Sequence, residues 1–150
     1  MKCNPDDQYH CRYFFDAGIR FECRRCGACC TGDPGIIRIS GREIQALSDF
    51  LRMPASDLIR MHLRPIESGF SIAEETDGRC RFYDKGCRIY PVRPLQCRTY
   101  PFWFSRMRSL RQWEKALCEC PGIGNGTLYS RERIIDMLSR SMDHLESMED

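Results

Sequence analysis

Eight consecutive residues, Cys23-Arg24-Arg25-Cys26-Gly27-Ala28-Cys29-Cys30, put four thiols on a stretch of backbone about two helical turns long. Few segments constrain a fold more, because the sulfurs must be oxidised, buried or given a cation. Soft thiolate sulfur selects zinc, Cu(I) or iron–sulfur clusters, and a two-residue spacer lets two sulfurs converge on one centre. Gly27 suits this, since it takes positive φ and lets the chain turn tightly around an ion. Cys29 and Cys30 are adjacent, and consecutive side chains diverge, so the pair points to two centres or to one multinuclear centre.

Eleven cysteines in 150 residues also fit a disulfide framework, but the number is odd, and Met1-Lys2-Cys3-Asn4-Pro5-Asp6-Asp7 is polar with no apolar signal core. No apolar run approaches the length of a membrane-spanning helix. The expectation is therefore a protein of the reducing cytoplasm whose clustered cysteines are metal ligands. Net charge is only +2, and 21 acidic residues interleave with the basic ones, which favours an ordinary mixed-charge surface over nucleic-acid binding. The basic side is skewed: apart from Lys2, Lys85 and Lys115 it is all arginine, and Arg24, Arg25, Arg79, Arg81, Arg88 and Arg98 flank cysteines. Eight thiolates around two divalent ions leave a residual charge of about −4, which nearby guanidinium groups offset.

Along the chain, Ile19–Glu22, Ile36–Ile39 and Phe70–Ala73 read as short strands. Ser40 with Glu43 reads as a capping box opening a helix through Ile44, Leu47 and Leu51, and Ser56 opens a shorter helix ending before Pro65. Ser109 with Gln112 marks a second capping box, with Leu110, Trp113 and Leu117 as its apolar stripe, and a final helix occupies about residues 131–147. Around Asp84-Lys85-Gly86 a tight hairpin is expected to set Cys80 beside Cys87. Prolines at 91, 94 and 101 predict a rigid irregular wrap that aims Cys97, with Arg93 and Arg98 donating to sulfur or to backbone carbonyls. The fold expected is mainly α with a short β-hairpin and strands, a small α+β protein of one domain, residues 1–150, wrapped around a cysteine-ligated metal centre.

Three motifs in order carry a resemblance: Cys23-x2-Cys26-Gly27-x-Cys29-Cys30; Cys80-x6-Cys87-x2-Tyr90-Pro91-x-Arg93-Pro94-x2-Cys97-Arg98-x-Tyr100-Pro101-Phe102; and Cys120-Pro121-Gly122-Ile123-Gly124. Over about residues 21–126 the chain resembles the CxxCxxCC, or YkgJ-type, cysteine-cluster family, described as chelating zinc or iron. Flagellin lysine methylases carry a related cluster. The resemblance implies eight ligands: Cys23, Cys26, Cys29, Cys30, Cys80, Cys87, Cys97 and Cys120. Cys3, Cys11 and Cys118 fall outside the pattern, and Cys118 stands close enough to Cys120 to compete for the last place.

Zinc ribbons show two Cys-x2-Cys pairs, whereas Cys-x2-Cys-x2-Cys with a distant Cys-Pro has the look of a ferredoxin. On that pattern Cys23, Cys26, Cys29 and Cys120 hold a 4Fe–4S cluster, and Cys30, Cys80, Cys87 and Cys97 a second centre; spacing alone leaves the partition, and the choice between iron and zinc, open. Three functions then compete: metal binding as the function itself; an iron–sulfur enzyme or redox carrier, for example a methyltransferase; and a zinc-stapled module for an unidentified protein partner. Enzymatic machinery is sparse. There is no Gly-x-Gly-x-x-Gly run, no P-loop and no Cys-x3-Cys-x2-Cys, and His10, His62 and His144 all lie away from the cysteine groups in sequence.

Overall fold

The computed structural model describes residues 13–32 and 35–146. In chain order its elements are β1 (Ile19–Phe21), α1 (Ala28–Thr31), β2 (Arg38–Ile39), α2 (Gly41–Leu51), α3 (Ala55–His62), β3 (Leu63–Ile66), β4 (Gly69–Ile72), α4 (Leu95–Thr99), α5 (Phe104–Met107), α6 (Leu110–Glu119), β5 (Thr127–Tyr129) and α7 (Arg131–Glu146), with a 3-10 turn at Tyr90–Val92. This is a small α+β fold with short antiparallel sheets. The chain divides into two compact units: Met1–Arg24 with Pro101–Met142, and Arg25–Tyr100 with Asp143–Asp150. Among the described residues no helix is long and apolar enough to cross a membrane.

The Arg25–Tyr100 unit is organised by α2. Ser40 Oγ accepts the Glu43 N–H and Glu43 Oε2 accepts the Ser40 N–H at 2.8 Å, so the capping box forms in full. That start angle turns Ile44 and Leu47 inward, where they join Ile39, Leu58, Leu63, Ile72, Phe82 and Ile89 in an aliphatic core. The core lies against a three-stranded sheet in the order β2-β4-β3. Pro65 sits in β3 opposite Phe70, which the missing N–H permits because β3 is an edge strand of that sheet. Helix α3 starts at Ala55 with Pro54 as its cap, one residue earlier than Ser56 suggests.

The other unit closes on aromatic rings. β1 pairs antiparallel with β5, Ile19 opposite Tyr129 and Phe21 opposite Thr127. Behind this ladder Phe102 is fully buried, edge-on to Phe21 at 5.9 Å and stacked on Trp113 at 6.1 Å. Phe14 approaches Trp113 at 5.9 Å and stands edge-on to Phe15. Ser109 Oγ caps α6 by accepting the Gln112 N–H, and Ile134 of α7 is fully buried.

Candidate metal centre

The cysteine-rich stretch is shaped by two left-handed residues. Arg25 (φ 53°) and Gly27 (φ 79°) turn the chain so that Gly27 caps the one-turn helix α1, which carries Cys29 and Cys30. The Gly27 carbonyl accepts the Cys30 N–H at 2.9 Å and the Thr31 hydroxyl at 2.9 Å. A Cβ at position 27 would overlap the Tyr83 ring, so glycine is required here by contact as well as by φ.

Two further segments meet this turn. The Cys80 N–H donates to the Cys30 carbonyl at 2.8 Å, which lays the second cysteine group along the first. Between Cys80 and Cys87 the expected hairpin is reduced to one isolated bridge, Tyr83 with Cys87, because Lys85 (φ 53°) and Gly86 (φ 150°) turn the chain before a ladder extends. Cys97 differs from expectation more: it rides on α4 rather than on an irregular wrap. Pro94, at φ −52°, supplies a cap that helices accept, so the proline that argued against a helix starts one. Glu43 Oε1 accepts the Leu95 N–H at 2.7 Å, and Gln96 accepts from the Arg38 N–H at 3.0 Å while donating to the Ile36 carbonyl at 2.8 Å. Cys97 is thus positioned by the same carboxylate that caps α2.

The sulfurs are organised around Cys30. Its thiol lies 3.9 Å from Cys29 Sγ, and Cys80 and Cys87 add to its electrostatic surroundings. Two sulfurs sharing a tetrahedral zinc at about 2.3 Å stand roughly 3.8 Å apart, so the adjacent pair is spaced as one ion requires. Cys30 holds its proton well above the ordinary thiol range, because its thiol interacts first with the Cys29 sulfur and then with those of Cys80 and Cys87, and burial adds to the effect. That interaction brings Cys29 down to about 7 and Cys87 to about 6, with the Ile89 N–H, Arg93 and Arg25 also favouring the Cys87 thiolate. Cys80 is lowered by Cys30 and by the Phe82 N–H. Cys97 is pushed up by burial and then by the neighbouring charges of Cys29, Cys80 and Cys87. One proton shared among several sulfurs marks a place where thiolate chemistry favours a cation.

Five of the eight anticipated ligands, Cys29, Cys30, Cys80, Cys87 and Cys97, therefore gather within one unit. The gathering crosses the spacing-based partition, since Cys29 stands with Cys30. Cys26 belongs to the same unit and is exposed. Cys23 and Cys120 belong to the other unit, where Cys120 is buried just past α6 and Cys118 is exposed on it. Cys3, Cys11 and His10 lie outside the described residues. Among the described residues no three His, Cys, Asp or Glu side chains are already placed to hold an ion, so closing on one asks for side-chain movement. The remaining histidines are engaged elsewhere: His62 stacks on Phe82 at 4.9 Å and His144 faces Glu43 at 3.3 Å. Arg93 Nε donates to the Tyr90 carbonyl at 2.9 Å, the backbone alternative foreseen for it.

The family model CxxCxxCC, "Putative zinc- or iron-chelating domain", matches residues 22–121, two thirds of the chain and all eight of the anticipated cysteines. The chain belongs to the CxxCxxCC family. A relative, the uncharacterized protein MJ0661 of Methanocaldococcus jannaschii, is 30% identical over 88 residues, 57% of this chain and 46% of that protein. The matched part of this CxxCxxCC protein thus spans about half the length of that relative. No solved structure matches.

Proposed function

We propose that this CxxCxxCC protein chelates zinc or iron, and that Cys29, Cys30, Cys80, Cys87 and Cys97 supply the ligands. The supporting observation is the 3.9 Å approach of the Cys29 and Cys30 sulfurs, with the Cys80 N–H bonded to the Cys30 carbonyl so that the second cysteine group lies along the first. The donor set is sulfur alone, the chemistry of a closed zinc site or an iron–sulfur cluster. Four thiolates on zinc leave no open coordination position, so the metal would hold the fold together or be carried. A 4Fe–4S cluster in the same thiols would supply one-electron chemistry, and that is the finer reading we place second.

The test is metal and acid-labile sulfide analysis on the full chain purified without oxygen. Zinc without sulfide supports the closed-site reading, and iron with equivalent sulfide supports the cluster. Protein that stays metal-free after incubation with zinc, and after reconstitution with iron and sulfide, sinks both. Cys30→Ser should lower bound metal several-fold while Cys118→Ser leaves it alone. Cys23→Ser and Cys120→Ser report on the two family cysteines of the other unit.

A further inference from the structure

We infer that Arg25, Tyr90 and Arg93 form a charge-compensating clamp that holds the anionic thiolate centre, an inference that rests on the metal-binding reading above. Tyr90 sits in the 3-10 turn between Cys87 and Cys97, and both guanidinium groups lie over its ring, Arg93 at 3.7 Å and Arg25 at 4.0 Å from the centroid. Such stacking orients a planar cation without neutralising it. Arg93 is fixed further by its Nε bond to the Tyr90 carbonyl at 2.9 Å. Arg25 is held in left-handed backbone (φ 53°), a conformation that strains a side-chain-bearing residue and persists only where surrounding contacts impose it.

The cysteine-flanking arginines are not equivalent. Arg24 pairs with Glu22, Arg79 with Asp77 at 2.7 Å and Arg81 with Glu75 at 3.0 Å, so their charge is already answered by a carboxylate. Among the described residues Arg25 and Arg93 stand in no such pair, nor do Arg88 and Arg98, but only Arg25 and Arg93 share one aromatic ring. The ring that both guanidinium groups cover is tied to the cysteine group by backbone, the Tyr90 N–H donating to the Cys87 carbonyl at 3.3 Å, and Arg25 directly precedes Cys26. The five thiolates proposed above keep about three negative charges around one divalent cation, and the stacked pair of guanidinium groups offsets part of that excess. Arg25 and Arg93 are positioning residues in this account, setting how much negative charge the centre holds without ligating the metal themselves.

The experiment is zinc competition against a chromophoric chelator, on the full chain, for Arg25→Gln, Arg93→Gln, the double variant, and Arg25→Lys and Arg93→Lys, at low and at high salt. Each glutamine variant should weaken apparent zinc affinity roughly tenfold at low salt and the double variant about a hundredfold. Lysine keeps the charge but not the planar stack, so it should restore part of the loss, and high salt should shrink the differences. Glutamine variants that bind zinc like the wild type overturn the clamp, and so do lysine variants as weak as glutamine, since both results leave charge without a role. A wild-type chain that takes up no zinc instead overturns the metal-binding reading itself, a result distinguishable from failure of the clamp alone.

Discussion

Residues Arg25–Tyr100 pack aliphatic side chains into a core whose margin is made by Cys80 and Cys87, whereas the other unit packs the rings of Phe14, Phe21, Phe102 and Trp113 against one another, edge-on, tilted and stacked. The aromatic cluster is complete as it stands, its rings filling one another's edges and faces. The aliphatic core is not, because its boundary is a set of thiols that cannot all ionise without repelling one another. Thiols border the aliphatic core at Cys80 and Cys87, while the aromatic unit carries cysteines of its own, Cys23, Cys118 and the buried Cys120. Both tryptophans, Trp103 and Trp113, lie in the aromatic unit, which makes their emission a reporter for that unit alone.

The largest expected effect is on metal removal. Structural zinc contributes about 10–16 kcal/mol of apparent binding free energy in small domains, so chelation should lower the thermal midpoint followed by far-UV circular dichroism by on the order of 10 °C or more. Tryptophan emission should change little over the same chelator range; equal loss of both signals would erase the contrast between the units. Next is Phe102→Ala, which opens a cavity in the aromatic cluster and should cost about 3–5 kcal/mol in a urea melt followed by tryptophan emission. Metal bound per chain should stay at the wild-type value, and a parallel drop in metal would tie the ring cluster to the thiols.

A smaller change sharpens the sulfur side. Gly27→Ala forces a Cβ into the Tyr83 ring at φ 79° and should cost about 1–3 kcal/mol while weakening metal retention. Unaltered stability together with unaltered metal content would show that the turn tolerates repacking. The smallest effect is from His62, whose imidazole is held below its ordinary 6.5 by burial and by the charges of Arg81 and Arg88. The unfolded chain then takes up that proton first, so stability present above pH 6.5 declines as pH falls below it. His62→Gln should flatten that part of the stability profile; a profile of unchanged slope would assign the decline to other groups.

Local signals in the sequence are legible where one residue controls one turn. Ser40 and Glu43 form the capping box their spacing announces, and Ser109 caps α6 through Gln112. Prolines are the harder case, since their effect depends on the neighbours they meet in the fold: Pro94 opens α4 and Pro65 is accepted at a sheet edge, and neither outcome is written in the residue itself. The short β5 escapes a reading of the sequence because its strand character comes from pairing with β1, more than a hundred residues earlier. For the thiols, composition and spacing identify the ligand candidates, but Cys29 joins Cys30, Cys80 and Cys87 through packing of distant segments that spacing does not encode.

The hydrogen bond from the Cys80 N–H to the Cys30 carbonyl joins positions fifty residues apart, with α2, α3 and the β2-β4-β3 sheet lying between them in sequence. Closing such a span early would cost loop entropy before any packing offsets it. Cys29 and Cys30 are neighbours in sequence, whereas Cys80, Cys87 and Cys97 meet them only through the fold of the segments between. The ligand set and the aliphatic core are therefore products of one long-range closure.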